Sequence, residues 1–260
     1  MPEGPEAYIM SKYLEKYILN KKFVSITSNT KTKVDLPNKS SVIKLESYGK
    51  VIIIITKDYY VNIHLGITGW LVTKKPKIYK YVLNFSNKSF YLQDRRRFSS
   101  IKIFNKEDHI KYINTKYGVD ILSKEFTYTK FKSYFINTNK NICSLLLDQK
   151  YFAGLGNYIK NEALYLSKIS PLRKTSTLKE YQLKRLFNMI KFVSFSNLVD
   201  WHIEYKIKIS KDLKNILPEK LDVPYEFYIF EKEYDSKGNK ITFDKSHCGR
   251  RTYYVKKIQK

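Results

Sequence analysis

The fold is decided by the stretch Leu147-Asp148-Gln149, which is followed closely by Gly154-Leu155-Gly156-Asn157-Tyr158-Ile159-Lys160-Asn161-Glu162. The glycines permit a tight backbone turn, and a helix is predicted to start at Asn157. The first N–H groups of a helix have no partner within it, so they suit an anionic group such as phosphate. Asn157 is therefore a candidate phosphate ligand. A simple helix N-cap at Asn157 is compatible with the same geometry.

Helical patterning continues on both sides of this glycine turn. The run from Lys130 to Asp200 predicts helices, with a further interruption at Ser170-Pro171. Thr177 followed by Glu180 matches a capping box at the start of a long helix. The apolar face of that helix is predicted to contain Leu183, Leu186, Phe187 and Ile190. These signals predict a second, helical domain over residues 126–260.

The N-terminal part of the chain has a different pattern. Helical spacing of apolar residues after Pro5 predicts a first helix that runs to about Lys21. From Phe23 to Phe104, β-branched and aromatic residues alternate, and Tyr81–Phe85 with Phe90–Gln93 reads as a hairpin. Short strands with turn signals favour a sandwich over alternating α/β units. A two-layer antiparallel β-sandwich is therefore predicted within a first domain of residues 1–125.

The tail from Phe230 to Tyr254 again reads as a strand pair, with its turn at Ser236-Lys237-Gly238-Asn239. The predicted fold class is therefore α+β. It consists of an N-terminal helix and a β-sandwich, followed by helices and a terminal β-hairpin over about residues 228–260.

Positive charge dominates the composition of the 260 residues. Lys plus Arg number 49 against 24 for Asp plus Glu, which gives a formal net charge of +25. A strongly basic protein attracts polyanions, so nucleic acid is the leading class of partner. With 43% hydrophobic and 15% aromatic residues the chain is globular, which excludes a disordered basic tail or a collagen-like chain.

The longest apolar run, Val51 to Ile55, is too short to span a bilayer, and the acidic N-terminus does not resemble a signal peptide. Cys143 and Cys248 are the only cysteines, and they build neither a disulfide framework nor a four-cysteine zinc site. We expect a soluble intracellular monomer in a reducing compartment, associated with DNA and without a membrane partner.

Pro2 carries the most distinctive chemistry. Removal of Met1 would leave a secondary α-amine, and amines of this kind, with pKa values of about 7.7 to 8.0, are partly neutral at pH 7 and nucleophilic. Attack on a carbon then gives an iminium, an electron sink for elimination at the neighbouring carbon. Glu3 and Glu6 could act as general acid and as orienter of the amine. A simpler interpretation is that Pro2 and Pro5 stiffen a helix start, where carboxylates are favourable.

The string Pro2-Glu3-Gly4-Pro5-Glu6 resembles the start of the formamidopyrimidine-DNA glycosylase and endonuclease VIII family of base-excision enzymes, and looks more like the endonuclease VIII branch. The resemblance recurs in the family's order along nearly the whole chain. The further matches are Gly49-Lys50, His64-Leu65-Gly66-Ile67-Thr68-Gly69, Asp94-Arg95-Arg96-Arg97-Phe98, the helix-two-turn-helix around the glycine turn, and Gly249-Arg250-Arg251-Thr252-Tyr253-Tyr254.

The resemblance implies a role in DNA binding for each motif. Phosphates around a flipped nucleotide would be held by Lys50, His64, Asn157 and Arg250, and Lys50 and Arg250 would also support catalysis. The void left by that nucleotide would be filled by Ile67, Arg96 and Phe98. By their own contexts, Lys50 is a turn lysine, His64 a satisfied histidine in a sheet, and the arginines a basic surface stretch.

The resemblance also implies that the terminal hairpin is a zincless finger. The family's four zinc-binding cysteines fall approximately on Tyr234, Lys237, Val255 and Ile258, none of which holds structural zinc. The hairpin would then keep its geometry by packing alone. His247 and Cys248 are interpreted as surface or packing residues, and no metal ligand is expected.

The implied function is that of a bifunctional DNA glycosylase and abasic-site lyase. It would remove oxidised bases, pyrimidines above all, through a Schiff base on Pro2 and β,δ-elimination, with DNA in a cleft between the domains. No diffusible cofactor is required, because the electron sink is the terminal amine. The substrate would be damaged duplex DNA, with single-stranded or bubble DNA as a further possibility. The alternatives are a non-catalytic damaged-DNA-binding protein on the same fold and a basic RNA-binding protein.

Overall fold

The computed structural model describes residues 2–30, 34–136 and 138–260. The chain divides into two compact units, residues 1–116 and 117–260. This division precedes the boundary expected at 125/126, because two short segments, Val119–Asp120 and Phe152–Ala153, pair in parallel within the second unit.

The first unit begins with helix α1 (Gly4–Ile18). Glu3 is its N-cap and Pro5 lies in its first turn, where a missing N–H costs nothing. The helix ends before the predicted Lys21, because Asn20 adopts a left-handed backbone with φ 62°. Its buried face holds Ile9, Met10, Leu14 and Ile18.

Eight antiparallel strands follow α1. They are β1 (Lys22–Ser28), β2 (Ser40–Tyr48), β3 (Val51–Thr56), β4 (Tyr60–His64), β5 (Trp70–Val72), β6 (Tyr81–Phe85), β7 (Ser89–Gln93) and β8 (Ser100–Phe104). Their order in the sheet is β5-β7-β6-β1-β2-β3-β4-β8. Only two residue pairs, Lys22↔Ser41 and Phe23↔Ser40, join β1 to β2, so the sheet consists of two four-stranded halves. This unit ends with helix α2 (Lys106–Lys116), and the predicted α+β class is confirmed.

The second unit is mainly helical. After strand β9 (Val119–Asp120), it contains α3 (Tyr128–Ser133), α4 (Ile142–Leu147), strand β10 (Phe152–Ala153), α5 (Asn157–Leu166), a 3₁₀ turn (Thr175–Thr177), α6 (Glu180–Glu204) and α7 (Lys211–Lys214). The glycine turn joins α4 to α5, as the sequence predicts. The predicted apolar face of α6 is buried at Leu183, Leu186, Phe187 and Ile190.

The predicted cap of α6 is wrong. Thr177 belongs to the 3₁₀ turn, and Lys179 is the N-cap of the helix. The backbone N–H of Lys179 donates to Gln182 Oε1 at 3.0 Å, so this N–H, which has no acceptor within the helix, is satisfied by a side chain of the first turn. The helix therefore begins at Glu180. The predicted capping box would have made Thr177 the N-cap and Glu180 the third residue of the helix, whereas Glu180 is its first residue.

The chain ends in a hairpin whose strands, β11 (Thr242–Asp244) and β12 (Thr252–Tyr254), are antiparallel. The turn predicted at residues 236–239 is present, but it joins Tyr234 and Lys240, which form an isolated antiparallel bridge before β11. A different turn joins β11 to β12. Asp235 holds the first turn by accepting N–H bonds from Lys237 and Asn239 at 2.9 and 2.8 Å.

An apolar cluster supports this terminal hairpin. Val255, at a position compared above with a zinc cysteine, is 1% exposed in the cluster, and Ile258 packs against it. In the described residues, no group of three or more His, Cys, Asp or Glu side chains could hold a metal ion. Across the same ranges, no helix has both the length and the apolar character needed to cross a membrane. The other buried members of the cluster are Tyr165, Ile229, Ile241 and Tyr253.

Candidate active site

The start of α1 buries two carboxylates beside Pro2. Glu3 is 0% exposed and Glu6 is 6% exposed, whereas Pro2 is half-buried. Glu6 Oε2 accepts the backbone N–H of Glu3 at 2.8 Å, which fixes the chain direction at Pro2. The Glu3 side chain in turn accepts the backbone N–H of Glu6, so the two carboxylates form a reciprocal capping box, and their burial leaves an acid beside Pro2. The arrangement can hold an amine at Pro2 next to an acid.

Lys50 and His64 lie at the same end of two paired strands. Tyr48 pairs with Val51, so Gly49 and Lys50 form a two-residue hairpin loop. Val51 pairs in turn with His64. Burial, and then the positive charge of Lys50, lowers the pKa of His64 below its usual value. The structure therefore places these two predicted phosphate ligands side by side, with the imidazole favoured in its neutral form.

The hydrogen bonding of His64 selects one tautomer. The Gly66 N–H donates to His64 Nδ1 at 3.1 Å, so Nδ1 is the acceptor and the proton of a neutral ring is on Nε2. A neutral N–H donor at Nε2 suits a phosphate oxygen. Among the described residues, the bond from Gly66 accounts for Nδ1 alone, so the interpretation of His64 as a fully satisfied sheet residue leaves Nε2 without an assigned role.

The loop after His64 packs against the loop that carries Phe98. Gly66 has φ +73°, and a Cβ placed there would lie 2.7 Å from Ser99 N and 2.8 Å from the Phe98 carbonyl carbon. Only glycine allows both this backbone conformation and this approach. Ile67 therefore lies on a loop whose path is fixed by residues 98 and 99.

Asp94 organises the two loops, and sequence reasoning gave it no role. Its carboxylate is 0% exposed; Oδ1 accepts from Thr68 Oγ1 at 2.6 Å and Oδ2 accepts the Ser99 N–H at 2.7 Å. Burial opposes ionisation, but these bonds and the Arg96 N–H outweigh it, so the pKa of Asp94 is below its usual value. The ionised carboxylate thus ties the predicted wedge residues to one rigid support.

The two loops present an apolar and cationic surface. Phe98 is 56% exposed, Arg96 is exposed and Ile67 is half-buried. The Arg96 guanidinium lies 5.0 Å from the Phe98 ring centroid, a cation–π arrangement. Lys80 Nζ donates to the carbonyl oxygens of Arg97 and Ser99 at 2.9 and 2.6 Å, and these two bonds fix the backbone on either side of Phe98. An exposed aromatic ring on a well-held loop is suited to contact a partner.

In the second unit, Asn157 joins the glycine turn to the terminal hairpin. Gly156 is the N-cap of α5 and Asn157 is the first helical residue, so the simple N-cap interpretation of Asn157 is wrong. Asn157 Nδ2 donates to the Arg251 carbonyl oxygen at 3.1 Å, and an amide nitrogen carries a second hydrogen that suits a phosphate. Arg250 is exposed in the neighbouring turn.

Sequence reasoning also missed the two charged residues of α5 that are fully buried. Lys160 Nζ donates to Asn157 Oδ1 at 3.0 Å and to Thr252 Oγ1 at 2.6 Å. Glu162 accepts the backbone N–H groups of residues 228, 229 and 230 at 2.6 to 2.9 Å. The sequence contains one sign of these roles, because Lys160 and Glu162 are ionisable residues within the motif around the glycine turn. Both tie the terminal hairpin region to α5.

Comparisons with known proteins agree with this architecture. Residues 1–101 match the formamidopyrimidine-DNA glycosylase N-terminal domain, and residues 117–197 match the H2TH domain of the same enzymes. A formamidopyrimidine-DNA glycosylase of Wolbachia sp. subsp. Brugia malayi (strain TRS) is 32% identical over 206 residues, covering 74% of this chain and 76% of the relative. The chain belongs to the formamidopyrimidine-DNA glycosylase family.

Solved structures of formamidopyrimidine-DNA glycosylases share the whole fold. The MutM (Fpg) protein of Thermus thermophilus has a TM-score of 0.84 at 20% identity, covering 99% of this chain and 98% of that one. The Lactococcus lactis Fpg, in a complex with DNA containing an abasic site, has a TM-score of 0.82 at 23% identity, covering 99% of both chains. The predicted family is thus confirmed, and its endonuclease VIII branch stays a prediction.

Proposed function

We propose that this member of a DNA glycosylase family is a bifunctional glycosylase and abasic-site lyase that uses Pro2 as its nucleophile. The observation that carries the proposal is the burial of Glu3 and Glu6, 0% and 6% exposed, in the turn that follows Pro2. The capping box that these side chains form offsets part of the cost of their burial, and the same burial places an acid beside the Pro2 amine. An acid in such surroundings is suited to proton transfer.

In the proposed reaction, the Pro2 amine attacks C1′ of the damaged nucleotide and the bond from C1′ to the base breaks. Glu3 protonates the oxygen of the opening sugar, which leaves an iminium between Pro2 and C1′. The iminium acidifies the C2′ protons, so elimination of the 3′ phosphate and then of the 5′ phosphate follows. The product is a one-nucleotide gap with phosphate at both ends, and hydrolysis of the iminium releases the unsaturated sugar from Pro2. Glu6 acts by holding the Glu3 backbone.

The remaining residues are proposed to hold the DNA. Lys50 and the neutral His64 would bind adjacent phosphates from the first unit, and Asn157 and Arg250 would bind phosphates from the second. Ile67, Arg96 and Phe98 would fill the space vacated by the flipped nucleotide, which offsets an unstacking cost of about a few kcal/mol. Lys50 and Arg250 would also stabilise the charge that develops on the leaving phosphates.

We propose oxidised pyrimidines and abasic sites as the preferred lesions. The support is the form of the N-terminal string from Pro2 to Glu6, which looks more like the endonuclease VIII branch. The relative named above is a formamidopyrimidine-DNA glycosylase, so ring-opened purines are the competing substrate class. Ile67 is stiffer and shorter than an unbranched wedge, and it would change the preference for the opposite base.

A cleavage assay tests the proposal. Duplexes that carry an abasic site, an oxidised pyrimidine, a ring-opened purine or 8-oxoguanine are incubated with the wild-type protein and with Glu3→Gln. We expect the variant to lose base removal by about 10²- to 10⁴-fold, the usual contribution of a general acid. We expect it to retain more activity on the preformed abasic site. Glu107→Gln, an exposed residue of α2, is the matched control.

The outcomes of this assay are distinct. Tight binding to damaged duplexes without cleavage of any of them would overturn the enzymatic proposal and leave a damage-binding protein. Cleavage with ring-opened purines ahead of oxidised pyrimidines would refute only the proposed lesion preference. Equal binding to undamaged RNA would favour the RNA-binding alternative.

A further inference from the structure

The two cysteines of the chain come together beside a buried lysine. They are 105 positions apart in sequence, at 143 and 248, yet the segments that carry them are in contact. Next to them, Ser144 Oγ donates to the carbonyl oxygen of His247. Cys143 is buried at the start of α4, and Cys248 is partly exposed in the turn between β11 and β12. The interpretation of Cys248 as only a surface or packing residue is therefore incomplete.

Lys160 completes the cluster. Its side chain is 0% exposed, and Nζ lies 3.7 Å from Cys248 Sγ. Its other two acceptors are Asn157 Oδ1 and Thr252 Oγ1. An ammonium group has three N–H donors, so Cys248 supplies the third acceptor, and a thiolate there has the charge opposite to that of the ammonium. Cys248 Sγ also lies 3.5 Å from Thr252 Oγ1.

The electrostatics of the cluster divide the two thiols into unequal partners. Interaction with Cys143, helped by the charge of Lys160, lowers the pKa of Cys248 to about 4 despite its burial. The same interaction, together with burial, raises the pKa of Cys143, whose thiol lies 3.5 Å from the Pro171 carbonyl oxygen, its hydrogen-bond acceptor. Thiolates are the reactive form of cysteine, so the partly exposed Cys248 is the nucleophile and the enclosed Cys143 is the second thiol.

We propose that Cys248 and Cys143 form a redox-sensitive pair in which a hydroperoxide oxidises Cys248 and Cys143 then closes a disulfide. In the first step the Cys248 thiolate attacks the terminal oxygen of the peroxide; the O–O bond breaks, an S–O bond forms, and hydroxide or alkoxide leaves. The sulfur loses two electrons and the peroxide gains them. In the second step Cys143 sulfur displaces the oxygen of the sulfenic acid, which forms the S–S bond and releases water.

The location of the pair links its redox state to the terminal hairpin. Cys248 lies two residues before Arg250, and its Sγ is 3.7 Å from the Arg250 carbonyl oxygen. A disulfide neutralises the acceptor of Lys160, which also holds Asn157, and ties the turn to α4. We therefore expect the oxidised protein to bind DNA about tenfold more weakly, or about 1.4 kcal/mol. This consequence rests on the proposed function, whereas the thiol chemistry does not.

Peroxide titration of the full chain tests the pair. Wild-type protein is treated with hydrogen peroxide and digested without reduction, and the peptides are analysed by mass spectrometry. We expect a peptide pair linked through Cys143 and Cys248 that a dithiol reductant separates again. Cys143→Ser should stop at a sulfenic acid on Cys248 that dimedone traps. Cys248→Ser should leave Cys143 unmodified under the same conditions.

A second measurement reports the role of Lys160. The rate of alkylation of Cys248 by iodoacetamide should already be near its plateau at about pH 6, whereas an ordinary thiol of pKa about 8.5 gains rate up to and beyond about pH 8. Lys160→Met should shift that profile toward higher pH. A structural role for Lys160 would change folding but would not move the profile of the folded protein.

The DNA consequence is measured on the same samples by comparing duplex affinity before and after oxidation, with Cys143→Ser/Cys248→Ser as the control for peroxide damage elsewhere. Oxidation of each cysteine without a disulfide between them, or disulfides only between different molecules, would overturn the proposal that Cys143 and Cys248 form a redox-sensitive pair. A disulfide that leaves DNA affinity unchanged would overturn the link to the hairpin. If the fully reduced wild-type protein cleaves no damaged duplex, that result would instead count against the proposed function.

Discussion

His64 shows how one side chain is prepared for its role by its neighbours. The bond from the Gly66 N–H to Nδ1 and the charge of Lys50 both disfavour a second proton on the ring. A histidine interpreted from sequence alone has no assigned tautomer, because the Gly66 N–H reaches it only in the folded loop and the charge of Lys50 acts on it only once the strands pair. The structure therefore turns a motif match into a defined donor at Nε2.

This environment makes part of the stability depend on pH. The folded pKa of His64 is below its value in the unfolded chain, about 6.5, so the unfolded state binds the proton more readily. The contribution of His64 is complete above about pH 6.5 and is lost as the pH falls toward the folded pKa. We expect the unfolding free energy of wild type to exceed that of His64→Gln by less at about pH 5.5 than at about pH 7.5.

Denaturant unfolding of both proteins at the two pH values provides the measurement. Because only the difference between the proteins is compared, the titration of other groups cancels. A difference that grows as the pH falls would mean that the imidazole is protonated and paired in the folded state. The neutral donor assigned to Nε2 would then be wrong.

At the scale of elements, the two loops at 64–69 and 94–99 work as one support for the wedge residues. A test is offered by Gly66 and Gly238, which have nearly equal backbone angles, φ +73° and +74°. A Cβ at Gly238 would meet nothing within 4 Å, whereas one at Gly66 would collide with the backbone of residues 98 and 99. Gly238→Ala should cost only the strain, about 1 to 2 kcal/mol.

Gly66→Ala should cost more than Gly238→Ala in unfolding free energy, and it should also weaken binding to damaged duplex, because the loops must separate. Thermal unfolding and duplex affinity measured on both variants decide this. Equal effects of the two substitutions would show that the close packing of the loops contributes nothing measurable to the unfolding free energy or to duplex affinity.

The terminal hairpin depends on apolar packing, so its stability should not require a metal. Ile229 is 0% exposed in the cluster that includes Val255. Ile229→Ala should destabilise the second unit by about 2 to 5 kcal/mol, the usual cost of this truncation in a core. Treatment of wild type with a chelator should leave its melting temperature unchanged. A chelator that lowers the melting temperature would contradict the account of the hairpin.

Several elements could be predicted from local pattern, and others could not. Strands β6 and β7 are found where the hairpin is predicted, and the face of α6 is buried as its spacing predicts. The start of α6 was misplaced because Thr177 bonds to the Lys174 carbonyl oxygen in a 3₁₀ turn, a local competitor of the cap. The clustering of Cys143, Cys248 and Lys160 joins distant segments, which no local pattern reports.

At the scale of the whole molecule, the formal charge of +25 predicts strong, salt-dependent DNA binding. Lys50 and Lys57 lie at opposite ends of strand β3, which makes them a matched pair. Lys50→Ala should reduce the slope of log affinity against log salt by about 0.9, the loss of one phosphate contact. Lys57→Ala, an exposed lysine outside every motif, should leave the slope nearly unchanged. Equal slopes for the two variants would remove Lys50 from the interface.

Covalent trapping tests the central claim most directly. The protein is incubated with duplex that carries an abasic site in the presence of borohydride, which reduces an iminium to a stable amine, and the adduct is mapped by mass spectrometry. We expect a trapped adduct on Pro2 and none with Pro2→Gly when the variant still binds the duplex. An adduct on a lysine, or none at all from wild-type protein that has lost Met1 and binds tightly, would contradict the account.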